Sequence, residues 1–133
     1  MKVFFEKTLS PCIANEVILW HVAHGWVWNV RESSGRYIGV FFATLLCGDG
    51  VIIHFDSIPN LMISPATVAS AIKKGIRIAA PLGVVFATVR QDNKKLISII
   101  SRLGFRTTDA GFYRSGEGEI ILLKYFPHQK SIL

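Results

Sequence analysis

Cysteine is scarce in this chain: Cys12 and Cys47 are the two present, and they share no CxxC or Cys/His spacing of the kind that holds zinc. Neither a disulfide framework nor a metal cluster is expected, and both thiols read as free in a reducing, cytoplasmic setting. Long apolar runs are missing too. The longest, Ile78 to Val89, covers 12 residues and contains Pro81 and Gly83, well short of the roughly 20 needed to cross a bilayer, so no membrane partner is expected. The opening MKVFFEKTLSPC has no signal-peptide core, because Glu6 and Lys7 interrupt its apolar patch. Acidic residues are few, nine against fifteen Lys and Arg, and the resulting charge of +6 favours phosphate-bearing partners. Yet no five like charges run together. The small groups Lys73, Lys74, Arg77 and Arg90, Lys94, Lys95 read as solvated surface, and without interleaved aromatics or a base-reading motif nucleic acid is not an expected partner. Internal repeats, linkers and low-complexity segments are also lacking.

What is present is a chain of 133 residues, half of them apolar, enough for one full core and too short for two. A single domain is expected over residues 1–127, with a frayed tail at 128–133. Lys2 to Lys7 reads as a first strand. Ser10 and Pro11 give a cap-and-proline helix start, and a helix to about His24 places Ile13, Val17, Trp20 and His24 on one stripe, with Cys12 in its first turn. His21 and His24, three apart, suggest no third metal ligand, so core or surface roles are expected and no metal. Trp26 to Val30, Tyr37 to Leu46 and Val51 to Phe55 then form an antiparallel meander around the turns RESSGR and CGDG.

Ser64 and Pro65 repeat the cap-and-proline start, and the helix that follows sets Val68, Ala71, Ile72, Gly75 and Ala79 on one face and Lys73, Lys74 and Arg77 on another. Pro81 and Gly83 end it. The next stretch, GVVFATVRQDNKKLISIISRLGF from Gly83 to Phe105, organises the chain. Val84 to Val89 is a near-continuous apolar strand of the kind found in parallel pairing. A helix capped by Asp92 or Asn93 follows, with Leu96, Ile97, Ile100 and Leu103 apolar and Gly104 as its stop. Phe105 to Tyr113 and Glu119 to Phe126 close the chain as two strands. The amides of Ser64, Ala66 and Thr67, at the start of the second helix, lie where the helix dipole favours an anion. The bland alternative is that Ser64 caps its own helix.

The order β-α-β-β-β-α-β-α-β-β, with Asn93, Leu96, Ile99, Ile100, Gly104 and Phe105 in the register N-x-x-A-x-x-L-Y-x-x-x-G-F, resembles the GNAT superfamily of acyl-CoA-dependent N-acetyltransferases over nearly the whole length. The resemblance implies an α/β (α+β) fold: a mixed, mostly antiparallel sheet of about seven strands flanked by three helices. It also implies a V-shaped split between the strands ending near Phe55 and Val89 that takes the pantetheine arm of acetyl-CoA or another acyl-CoA. Cofactor contacts are then expected from Phe55, Asp56, Ser57 and Ile58, from Ser64, Ala66 and Thr67, and from Asn93. Two places depart from the family pattern. The pyrophosphate loop Q/R-x-x-G-x-G/A corresponds to Asn60–Ala66, NLMISPA, which has no glycine. The tyrosine that reprotonates the CoA thiolate falls at Ile100. Substitutes for catalysis are His54, as base for an amine acceptor, and Tyr113. Three functions follow in order: a compact N-acyltransferase, a non-catalytic GNAT-like binding or assembly module of the sort tailed phages use in head assembly, and, last, a basic nucleic-acid module. Trp26 and Trp28 are candidates for an acceptor pocket or a homodimer or protein-partner interface, or simply half-buried strand residues.

Overall fold

A computed structural model describes residues 2–46, 48–115 and 118–126, with side chains described outside 109–121. Cys47 and the tail 128–133 lie outside the described residues. Seven strands form one sheet in the order β1-β2-β3-β4-β5-β7-β6: β1 Val3–Lys7, β2 Trp26–Glu32, β3 Tyr37–Leu45, β4 Gly50–Ser57, β5 Val84–Arg90, β6 Phe105–Ser115 and β7 Gly118–Tyr125. Every pairing is antiparallel except β4 with β5. That exception is the strand–helix–parallel strand unit expected over Val51 to Val89, in which the helix supplies the crossover a parallel pair needs.

Three helices flank the sheet: α1 Glu16–His24, α2 Pro65–Ala79 and α3 Lys94–Arg102. The larger core lies on the α2 and α3 side and joins Phe41, Val51, Ile53, Ile72, Ile76, Val85, Val89, Ile100 and Phe105. Helix α2 sits close to the sheet because Gly75 has no side chain; a Cβ there would fall against the Phe41 ring. On the opposite face a smaller cluster, Ile18, Val27, Val40 and Phe42, lies under α1. Trp26 and Trp28 are half-buried against the larger core.

Helix α1 corrects two expectations. Ser10 and Pro11 do not start it; residues 8–15 cross the sheet irregularly. Asn29 fixes this segment by accepting from the Cys12 N–H (2.7 Å) and donating to the Ser10 carbonyl (3.3 Å). Cys12 therefore lies outside any helix. Asn15 is the cap, accepting from the Ile18 N–H at 2.9 Å. The buried stripe is Ile18 and His21, with Val22 partly buried, while Val17 and Trp20 are 57% and 49% exposed. A helix that is apolar nearly all round does not announce which side it buries.

Candidate active site

Strands β4 and β5 pair from Gly50 opposite Val84 to Ile53 opposite Ala87, and there the ladder stops. Both strands continue. His54, Phe55, Asp56 and Ser57 stay paired on their other side to β3, and Thr88, Val89 and Arg90 to β7. Their facing edges diverge, so a split opens in the middle of the sheet whose walls are backbone N–H and C=O groups still able to bond a guest. A cavity of about 190 Å³ occupies it, walled on the α2 and α3 side by Phe41, Ile53, Ile72, Leu96, Ile100 and Phe105 and bordered by His54, Asp56 and Thr88. A second hollow of about 370 Å³, sharing Phe55 and Leu96 with the first, runs between the starts of α2 and α3 past Pro65, Val68, Asn93 and Lys95. Side by side, they run from two helix starts to the split.

Of the expected cofactor residues, Phe55, Asp56, Ser57 and Asn93 line these hollows, while Ile58, Ser64, Ala66 and Thr67 appear in neither lining. Phe55 lines both hollows, Asp56 the inner and Ser57 the outer. Ile58 ends the strand with its N–H on the Ile38 carbonyl (2.9 Å) and appears in neither lining. Ser64 caps α2: its Oγ accepts from the Thr67 N–H at 3.1 Å and lies 2.9 Å from the Thr67 hydroxyl. Thr67 is buried and its N–H is thereby engaged. Ser64 and Ala66 remain as the donors of that first turn, since Pro65 has no N–H. In place of a glycine loop, the turn before α2 uses Asn60 at φ 64°, a conformation asparagine tolerates. Asn93 caps α3, its Oδ1 accepting from Leu96 N–H at 3.2 Å, and borders the outer hollow.

Lys95, a cation on the wall of the outer hollow, was missed as a site residue. Its position in the first turn of a helix capped by Asn93, across the outer hollow from the start of α2, was the available signal.

His54 alternates to the α1 face of the sheet. Its ring stacks on Phe42 (centroids 5.0 Å apart) and meets the His21 ring edge-on at 6.0 Å. Burial, and secondarily the nearby His21, lower its pKa from 6.5 to about 4, so the imidazole is neutral at pH 7. His21 donates from Nδ1 to the Val17 carbonyl (2.8 Å) and His24 bonds the Trp20 carbonyl in the same way (2.9 Å). Tyr113 falls on β6 opposite Ile120, and its side chain lies outside the described residues. β6 is an edge strand two positions from β5. Ile100, where the family pattern has tyrosine, is buried on the wall of the inner cavity.

A mixed sheet split at its one parallel pair, with helices starting at the mouth of the split, is the architecture of the GNAT acetyltransferases. Solved structures bear this out. A GNAT family acetyltransferase from Elizabethkingia anophelis with acetyl-CoA bound superposes with a TM-score of 0.71 at 13% identity over 92% of this chain and 97% of that one. An acetyltransferase from Bacillus subtilis in complex with CoA gives 0.71 at 13% identity over 93% and 98%. An IAA acetyltransferase from Bacillus cereus gives 0.65 at 12% identity over 93% and 99%. No protein-family model and no curated protein sequence matches the chain. The chain has the GNAT fold over nearly its whole length. Among the described residues no helix is long and apolar enough to cross a membrane.

Proposed function

We propose that this protein is an acyl-CoA-dependent N-acyltransferase acting in the cytoplasm on an amine acceptor. The observation that carries the reading is the pair of joined hollows at the divergence of β4 and β5. A long, thin substrate with a charged end and an apolar-compatible arm suits such a path. The diphosphate end fits the outer hollow, where Lys95 supplies a positive charge and the start of α2 at Pro65 the positive end of a helix dipole. The pantetheine amides suit the split-facing backbone of Phe55 and Ser57 and of the β5 end at Thr88 and Val89, which offers strand-like hydrogen bonds. In the reaction the amine nitrogen bonds to the thioester carbon, the C–S bond breaks, and CoA leaves as thiolate. The amine's proton passes to neutral His54 or to water. With Ile100 unable to protonate the thiolate, acceleration comes from positioning and from a strand N–H facing the developing oxyanion.

Titration calorimetry and thermal unfolding with acetyl-CoA and CoA test this. Stabilisation should grow with ligand concentration, reaching about 2.7 kcal/mol at a hundredfold excess over Kd. No heat and no shift at millimolar ligand would sink the reading. Ile100 also favours a second reading, a GNAT-shaped binding or assembly module in which the fold persists without transfer. Binding of CoA with no release of free thiol toward any amine would select it.

A further inference from the structure

The two faces of the split differ. On one, α2 and α3 enclose the path just described. On the other, α1 packs on β2 and β3 and reaches β4 through the His21–His54 ring contact, with no comparable packing on β5 or β7 among the described residues. An acceptor that is to meet a thioester held in the split from the α2 and α3 side therefore has this bare face as its approach. Strand alternation fixes what it meets. Because Val51, Ile53, Val85, Ala87, Val89 and Leu123 belong to the larger core, Ile52, His54, Phe86, Thr88 and Leu122 point the other way, and all five are half-buried. Helix α1 reaches this row at His54, through His21. Trp20, half-exposed, stacks one face on His24 at 4.4 Å and stands edge-on to His21 at 5.0 Å, and His21 in turn touches His54. Of the described side chains these strands turn to this face, one is a carboxylate, Asp56, against the cations Lys124 and Arg90, the latter ion-paired with Asp92 at 2.7 Å.

We infer that the acceptor is a monoamine carrying an aromatic or aliphatic body, which lies on Ile52, Phe86 and Leu122 beside Trp20 with its nitrogen at the split, and that polyamines are excluded. This rests on the acyltransfer reading. Apolar walls with a few placed polar groups are what a small organic ligand needs, whereas a polycation needs clustered carboxylates. The neutral His54 ring adds no charge that would repel an ammonium group.

The test measures amine binding apart from transfer. Calorimetry on the full chain, with and without CoA, compares 2-phenylethylamine, hexylamine and spermidine at one pH and low salt. The first two should bind at least tenfold more tightly than spermidine, and Trp20→Ala and Phe86→Asp should each weaken phenylethylamine about tenfold or more. Trp20 is exposed enough that its variant keeps the fold if the Phe86 variant does not. Spermidine binding as tightly as phenylethylamine, or indifference of phenylethylamine to Trp20→Ala, overturns the assignment whether or not CoA binds. Absence of CoA binding, read in its own titration, overturns the acyltransfer reading instead.

Discussion

Single side chains set both the chemistry and the packing limits of this fold. His54 is the clearest case. Its folded pKa of about 4 lies below the usual 6.5, so the folded state binds fewer protons than the unfolded chain between those values. The stability this contributes is fully present above pH 6.5 and is lost as pH falls through 4. His54→Phe should accordingly flatten the decline in melting temperature from pH 6.5 to 4 relative to the parent; an unchanged slope would show that the ring is solvated. If the ring takes the amine's proton, His54→Gln should lower kcat about a hundredfold, with the KM for acetyl-CoA nearly unchanged. Equal activity would leave water as the acceptor. Gly75 is a packing limit of a different kind. Gly75→Ala gains at most about 1 kcal/mol of helix propensity, but its methyl would collide with the Phe41 ring, and overpacking of that sort costs roughly 1–3 kcal/mol. A net loss is expected in denaturant unfolding.

At the scale of elements, the caps join fold to site. Asn93 closes the first turn of α3 through Leu96 N–H and also borders the outer hollow. Asn93→Ala should cost about 1 kcal/mol of stability and weaken CoA more than that loss of stability alone explains. Asn93→Asp, which keeps the cap, should restore the stability but not the affinity, because it sets a negative charge beside the phosphates. Restoration of both would reduce Asn93 to a cap. These elements were readable beforehand to different degrees. Helices α2 and α3 have caps, one polar side and one apolar side, so their faces followed from spacing; of the expected face of α2, Ala71, Ile72, Gly75 and Ala79 are buried and Val68 is half-buried, and Thr67 and Ile76 join them. Helix α1 has no polar side. Its buried face was decided by long-range contacts, Ile18 on Val27 and Phe42 and His21 on Phe42, that no local pattern encodes. The end of β4 was underestimated for a related reason: Asp56 and Ser57 look like turn residues, yet pairing to Val40 and Gly39 of β3 holds them extended. That extension builds the outer half of the split, so the site was legible as a place in the topology and not as a surface.

For the whole molecule, the parallel β4 and β5 pair is a seam. Seven register pairs join β3 to β4 and five join β5 to β7, while the strands between them meet over four. The sheet behaves as two antiparallel leaves, β1-β2-β3-β4 and β5-β7-β6, bridged by α2 and the short parallel ladder. A guest whose amides bond the split-facing backbone of β4 and β5 beyond Ile53 and Ala87 would extend that ladder, and the gain should appear locally, since exchange of a backbone N–H reports the free energy of its own opening. Hydrogen–deuterium exchange with saturating acetyl-CoA should therefore slow at residues 54–57 and 88–90 and at the first turn of α2, with the outer strands β1 and β2 unchanged. Protection spread evenly over both leaves would instead mean that the ligand stabilises the fold globally without occupying the seam. Protection confined to α1 would place it on the other face of the sheet altogether.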